Sequence, residues 1–121
     1  MPIHKILIVD DSRTELVHLG AILRNAGYEV DTAQDAVQAQ ARLEQSVPDL
    51  VLMDVVMPGK NGFQLTRSIT HDPRFAHVPV ILCTSKNQET DRVWGLRQGA
   101  RDYIVKPVQQ EDLLSKIQAL E

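Results

Sequence analysis

A chain of 121 residues with 43% hydrophobic content is long enough for one domain with its own core. Thirteen basic residues against sixteen acidic ones leave a net charge of −3, which argues against broad electrostatic binding to nucleic acid and against insertion into or attraction to anionic membranes. A single cysteine, Cys83, excludes an internal disulfide and fits a reducing compartment, so a cytoplasmic location is expected. The N-terminus shows no secretory h-region, no stretch reaches transmembrane length, and there is no internal repeat or low-complexity segment.

Lys5-Ile6-Leu7-Ile8-Val9 reads as a first buried strand ending in Asp10-Asp11. Ser12 and Glu15 have capping-box spacing, and Leu16, Leu19, Gly20 and Leu23 give the following helix one apolar face that stops at Gly27. Tyr28 to Ala33 is a short second strand. Asp35 and Gln38 are a second cap pair, and Ala36, Ala39 and Leu43 form the buried stripe of a second helix with Pro48 beyond its end. Leu50-Val51-Leu52-Met53-Asp54 is a continuous apolar run leading into one carboxylate, and a loop with Pro58, Gly59 and Gly62 follows. Such a run reads as a strand buried on both faces.

Gly62, Leu65 and Ile69 mark the inner face of a third helix, with small Gly62 letting it start close to the sheet. His71 to Pro79 is a polar connection. Val80-Ile81-Leu82-Cys83 is a fourth strand ending in Thr84-Ser85. Asn87 is the expected cap of a fourth helix carrying Val93, Leu96 and Ala100 inward; Gly95 within it costs roughly 1 kcal/mol relative to Ala, so a soft helix is expected. Tyr103-Ile104-Val105 is the fifth strand, ending in Lys106-Pro107, and Glu111 to Leu120 is a fifth helix with Leu113, Ile117 and Leu120 facing in.

Five repeats of strand then helix imply an α/β fold: a doubly wound parallel sheet covered on both faces. Every strand's carboxyl end then lies on one edge, where ligands bind in open α/β sheets. That edge gathers Asp10, Asp11, Asp54, Thr84, Ser85 and Lys106. Three carboxylates brought together repel, and Lys106 and a hard cation would relieve them; a few carboxylates, a carbonyl and waters suit Mg²⁺. A carboxylate beside such a cation favours phosphoryl transfer, with Asp54 attacking phosphorus and Thr84 able to donate to the transferred group.

Ile8-Val9-Asp10-Asp11-Ser12, Leu52-Met53-Asp54 with Met57-Pro58-Gly59 and Asn61-Gly62, Thr84-Ser85, and Tyr103-Ile104-Val105-Lys106-Pro107 together resemble the receiver domain of two-component response regulators, in order and across essentially the whole chain. The resemblance implies a flavodoxin-like, CheY-like five-stranded sheet in the order 2-1-3-4-5, one receiver over residues 1–121 and no output domain. It implies Asp54 as phosphoacceptor, Asp10 and Asp11 as the Mg²⁺ pair with Asp11 the more direct ligand, and the backbone carbonyl of Val56 as a further ligand. It also implies Thr84 as switch hydroxyl, Lys106 as phosphate partner, Tyr103 as aromatic switch and a cis bond before Pro107. The donor would be a CheA-like histidine kinase, and the output a protein bound on the face of the fourth helix, fifth strand and fifth helix. Residues 88–95, Arg97 to Tyr103 and Asn61 to Gln64 further resemble stand-alone pilus-type (PilH-like) regulators, implying control of twitching or a related motility.

Several positions keep two readings. Trp94 packs inward beside Val93 and Leu96, or stands partly exposed near Tyr103 as a partner anchor. Val56 and Lys86 replace the polar groups often found beside a receiver site, Lys86 adding positive charge there, so phosphoryl loss should differ from that of polar-flanked receivers in a direction these residues do not set. Cys83 reads as an inert core thiol, and His4, His18, His71 and His77 as surface groups without metal spacing. Output would come from protein contacts or from draining phosphate from another regulator; an excised receiver of a larger regulator is a further reading. A Mg²⁺-dependent aspartyl phosphatase would need an acid where Val56 stands. An FMN carrier of the same sheet order would be repelled by Asp10-Asp11.

Overall fold

The computed structural model describes residues 2–57 and 59–121; the turn expected at Pro58 lies outside them. Ten elements alternate: β1 (Lys5–Val9), α1 (Arg13–Asn25), β2 (Glu29–Ala33), α2 (Ala36–Gln45), β3 (Leu50–Met53), α3 (Gly62–His71), β4 (Val80–Thr84), α4 (Glu89–Arg97), β5 (Asp102–Val105) and α5 (Gln110–Leu120). The strands form one parallel sheet in the order β2-β1-β3-β4-β5. This is the doubly wound arrangement expected from the alternation, with strand ends within one or two residues of those read from the sequence.

Strand periodicity divides the core in two. Leu7, Val9, Val51, Met53, Val80, Leu82 and Tyr103 point to one face and pack with Ala39, Leu43, Leu65 and Ile69 of α2 and α3. Ile6, Ile8, Leu50, Leu52, Ile81, Cys83 and Ile104 point to the other and pack with Leu16, Leu19 and Leu23 of α1 and Leu113 and Ile117 of α5. Because both faces are covered, the central strands carry runs of four apolar residues, Ile6–Val9, Leu50–Met53 and Val80–Cys83, pointing alternately to the two faces.

Helix starts follow local chemistry. Ser12 accepts from the Glu15 amide at 3.3 Å, and Asp35 from the Gln38 amide at 2.8 Å. Asn61 and Gln64 complete a reciprocal capping box.

The fourth helix departs from expectation. Its N-cap is Gln88, without a side-chain hydrogen bond, rather than Asn87. Val93 and Leu96 are exposed; within the helix Gly95 is buried, and just beyond it Gln98 and, as expected, Ala100 are buried. The apolar spacing misled because this helix approaches the sheet closely: a Cβ on Gly95 would lie 2.5 Å from Leu82 Cδ1 and 3.3 Å from Phe63 Cε1. Gly95 is therefore a contact residue, not merely a weak helix former. The connection before β4 also differs, since Phe75 and Val78 are buried in the core. Leu120 is only partly buried.

Candidate functional site

The carboxyl ends of β1, β3, β4 and β5 meet on one edge, held in step by backbone hydrogen bonds. The Asp10 amide donates to Ala33 O at 3.0 Å, the Asp54 amide to Val9 O at 2.9 Å, and the Lys106 amide to Thr84 O at 2.8 Å. Each bond fixes one site residue against the neighbouring strand. Gly62, at the start of α3, closes the loop after Asp54 by donating its amide to Val55 O at 2.9 Å.

Asp10, Asp11 and Asp54 offer carboxylate oxygens that all lie within 4.8 Å of one another. Asp10 and Asp54 are buried, while Asp11 faces solvent. Lys106 reaches across with Nζ 2.7 Å from Asp10 Oδ2 and 3.7 Å from Asp54 Oδ1. The Ser12 amide holds the other Asp10 oxygen at 2.9 Å. Three carboxylates against one ammonium leave the cluster net negative, and an exposed Asp11 keeps one side open to solvent. That donor set, all hard oxygens with room for water, fits Mg²⁺.

The electrostatics follow from this packing. Burial, reinforced by the negative charge of Asp10, lifts the Asp54 carboxyl above its ordinary range, against the opposing pull of Lys106 and of amide hydrogen bonds from Val56 and Val55. For Lys106 burial acts to lower the value, but the hydrogen bond and charge of Asp10, with Asp54 behind it, outweigh burial and raise it. Lys106 thus stays an ammonium aimed at the carboxylates. The Lys106-Pro107 bond is cis, as expected.

Thr84 is fully buried at the end of β4, and its Oγ1 accepts from the Lys86 amide at 3.3 Å. Tyr103 lies inward, its hydroxyl donating to Lys86 O at 2.8 Å. Burial first, then the charges of Asp91 and Asp54, push the Tyr103 phenol up to about 12. Trp94 is 51% exposed on α4, which selects the surface reading over the core one. Val56 is also exposed. Lys86 does not sit on the acidic cluster as its position suggested: its Nζ is 3.9 Å from Asp91 Oδ1. The close approach at Gly62 was expected from the sequence, whereas the Lys86–Asp91 pair was not; the opposite charges of Lys86 and Asp91 across the expected start of α4 were the available signal.

Residues 6–118 match the response regulator receiver domain. The chain belongs to that family. It is 53% identical to the protein PilH of Pseudomonas aeruginosa over 116 residues, 96% of both chains. It is 39% identical to the response regulator PleD of Caulobacter vibrioides over 96% of this chain and 26% of that protein. Among solved structures, chemotaxis protein CheY4 of Vibrio cholerae superposes with a TM-score of 0.92 at 30% identity, over 99% of this chain and 100% of that one. The receiver is a signalling switch rather than a classical enzyme, and receiver domains bind Mg²⁺ at an acidic pocket such as the Asp10, Asp11 and Asp54 cluster. Histidine kinases and output targets are the partners of such domains in general. Among the described residues no helix is long and apolar enough to cross a membrane.

Proposed function

We propose that this receiver is a cytoplasmic, stand-alone response regulator phosphorylated on Asp54 by a histidine kinase. The observation that carries the reading is the convergence of Asp54, Asp10 and Asp11 with the Lys106 ammonium at one sheet edge. An Asp54 carboxylate oxygen attacks phosphorus of the donor phosphohistidine; the P–N bond breaks and its electron pair stays on the imidazole nitrogen. Asp10, Asp11, Asp54 and the Val56 carbonyl are the groups that would hold Mg²⁺, which when bound supplies positive charge to the phosphoryl oxygens. The Lys106 ammonium, close to both Asp10 and Asp54, adds a second positive charge.

After transfer the Thr84 hydroxyl turns to a phosphoryl oxygen and leaves the Lys86 amide. The Tyr103 hydroxyl, bonded to the Lys86 carbonyl, reports that change to the surface of α4, β5 and α5, where a protein target binds. Exposed Trp94 on α4 is a candidate anchor for it. The likeness to PilH across 96% of both chains supports the stand-alone arrangement over residues 1–121 and a role in pilus or related motility, with a CheA-like kinase as donor. Acetyl phosphate with Mg²⁺ tests the assignment. Wild type is expected to take up a base- and hydroxylamine-labile phosphoryl group that Asp54→Ala does not; uptake by Asp54→Ala would refute it.

A further inference from the structure

The free edge of the sheet at β2 carries a groove of about 500 Å³ between α1 and α2. One wall is a stripe of α1: Arg13, Val17, Gly20 and Arg24 follow helical spacing and share one side of the helix. Gly20 lets Arg24 lie down. A Cβ on Gly20 would stand 3.1 Å from Arg24 Nη1 and 4.0 Å from Val30 Cγ1, so the Arg24 side chain folds back along α1 toward β2. Arg42 reaches the same groove from α2. The groove is thus lined by three arginines and no carboxylate, in a chain whose net charge is −3. Neither Arg13 nor Arg24 has an ion-pair partner among the described residues. Arg42 is 3.5 Å from Asp31, in a partly exposed pair of a kind that exchanges easily. Val17, 70% exposed, is the apolar part of the α1 wall.

The backbone of β2 supplies the other half of the site. Along a parallel strand, residues bonded to the neighbour alternate with residues whose amide and carbonyl face away from it. The Glu29 amide donates to His4 O and Ala33 O accepts from the Asp10 amide, so Glu29, Asp31 and Ala33 face β1, while Val30 and Thr32 face outward. Thr32 is covered by side chains: its amide donates to Asp31 Oδ1 at 3.0 Å and its carbonyl accepts from Arg42 Nε at 3.3 Å. Beyond it the Gln34 amide donates to Gln38 Oε1 at 2.9 Å. The Val30 amide and carbonyl stay open among the described residues. A strand edge with open main-chain groups is a template for another strand, which takes affinity from the backbone and selectivity from flanking side chains.

We propose that the β2 edge docks an extended acidic segment of a partner protein, which pairs with Val30 and Thr32 as an added strand and sets its carboxylates on Arg13, Arg24 and Arg42. Arg42 then exchanges Thr32 O and Asp31 for the incoming chain. A second copy of this chain is the poorer occupant. Pairing β2 with β2 about a two-fold axis at Val30 sets Asp31 opposite Glu29 of the other chain, and an axis one residue on sets Asp31 against Asp31. Like charges placed opposite each other destabilise a strand pair. Since β2 and β5 are opposite edges of the sheet, a segment bound at β2 leaves the face of α4, β5 and α5 free for a second partner.

The test uses the full chain and a fluorescent peptide of about seven residues alternating glutamate and valine, an ordinary strand length. Anisotropy is expected to show binding that weakens as salt rises from ~0.01 M to ~0.15 M, where the screening length falls from ~30 to ~8 Å. Arg13→Gln and Arg24→Gln, both at exposed positions, are each expected to weaken binding about threefold and together about tenfold. A peptide with lysine for glutamate is expected not to bind. Of two glutamate peptides N-methylated on alternate residues in opposite phase, one at least is expected to lose binding, because it keeps its charge but cannot form the ladder. Hydrogen exchange at the Val30 amide is expected to slow in the complex. No binding at millimolar peptide, or equal binding of the lysine peptide, overturns the proposal. Full binding of both N-methylated peptides, or unchanged exchange at Val30, leaves charge attraction without an added strand and overturns it as well. Sedimentation of the peptide-free chain is expected to give a monomer; a dimer that the peptide dissociates would assign the edge to a second copy and overturn the acidic-partner reading.

Discussion

Gly62→Ala opposes two physical expectations. Helix propensity alone favours the change by at most about 1 kcal/mol, since Gly62 is the first residue of α3. The tertiary structure opposes it. A Cβ at this position would stand 2.7 Å from Val55 Cα and 2.8 Å from the Asp54 carbonyl carbon, both backbone atoms. Ordinary carbon contacts are ~3.5–4.0 Å, so the loop after β3 or the start of α3 has to move by about 1 Å. Overpacking of a buried site costs roughly 1–3 kcal/mol, and backbone cannot rotate away as a side chain can. A net loss of about 2 kcal/mol is expected. With a urea slope of about 1–3 kcal/mol per molar, the midpoint falls by roughly 1 M. Because the atoms displaced belong to Asp54 and Val55, labelling by acetyl phosphate is expected to slow by up to ~100-fold, the scale of a 1 Å misplacement of a reacting group. Urea unfolding and initial labelling rates measure both. A Gly62→Ala protein as stable as wild type and labelled at the wild-type rate would refute the close-approach argument.

Other outcomes follow from the same packing. Thr66 is fully buried with its hydroxyl unpartnered among the described residues, so Thr66→Val is expected to raise stability by about 1 kcal/mol in thermal unfolding. Mg²⁺ at a hundred times its dissociation constant should stabilise wild type by ~2.7 kcal/mol, with the gain largely lost in Asp11→Asn; equal Tm shifts in both proteins would remove Asp11 from the ligand set. Asp54 has its value raised in the fold, so its contribution to stability is present below the unfolded value of ~3.9 and is lost as pH rises through the folded one. Asp54→Asn, which stays neutral, is therefore expected to raise Tm at pH 7 and to lose that advantage as the pH falls toward the unfolded value. Burial pushes the Cys83 thiol up to about 12, so a thiol reagent at pH 8 should label it only at the rate of unfolding.

Much of the site was legible because a parallel α/β sheet converts sequence order into position. Asp10, Asp54, Thr84 and Lys106 each follow a buried run, and parallel strands bring all such ends to one edge. The helix caps at Ser12 and Asp35 were legible for the same local reason, since a cap involves residues three apart. The fourth helix was not. Val93 and Leu96 have helical spacing, yet the side of α4 that meets Leu82, Phe63 and Tyr103 is the one carrying Gly95. Periodicity locates apolar stripes, and here the inward stripe is small and polar.

The sequence by itself determined the strand–helix alternation, the two-sided core and the set of charged groups at the sheet's edge. These depend on the period of the backbone and on which residues end each run. Only the tertiary structure decided that Gly95 is a contact residue, that Trp94 is exposed, and that Lys86 turns to Asp91 rather than to the acidic cluster. Those outcomes depend on how closely a helix approaches the sheet and on which of two carboxylates a flexible ammonium meets first. Both are distances between separate elements, and no pattern along one element encodes them.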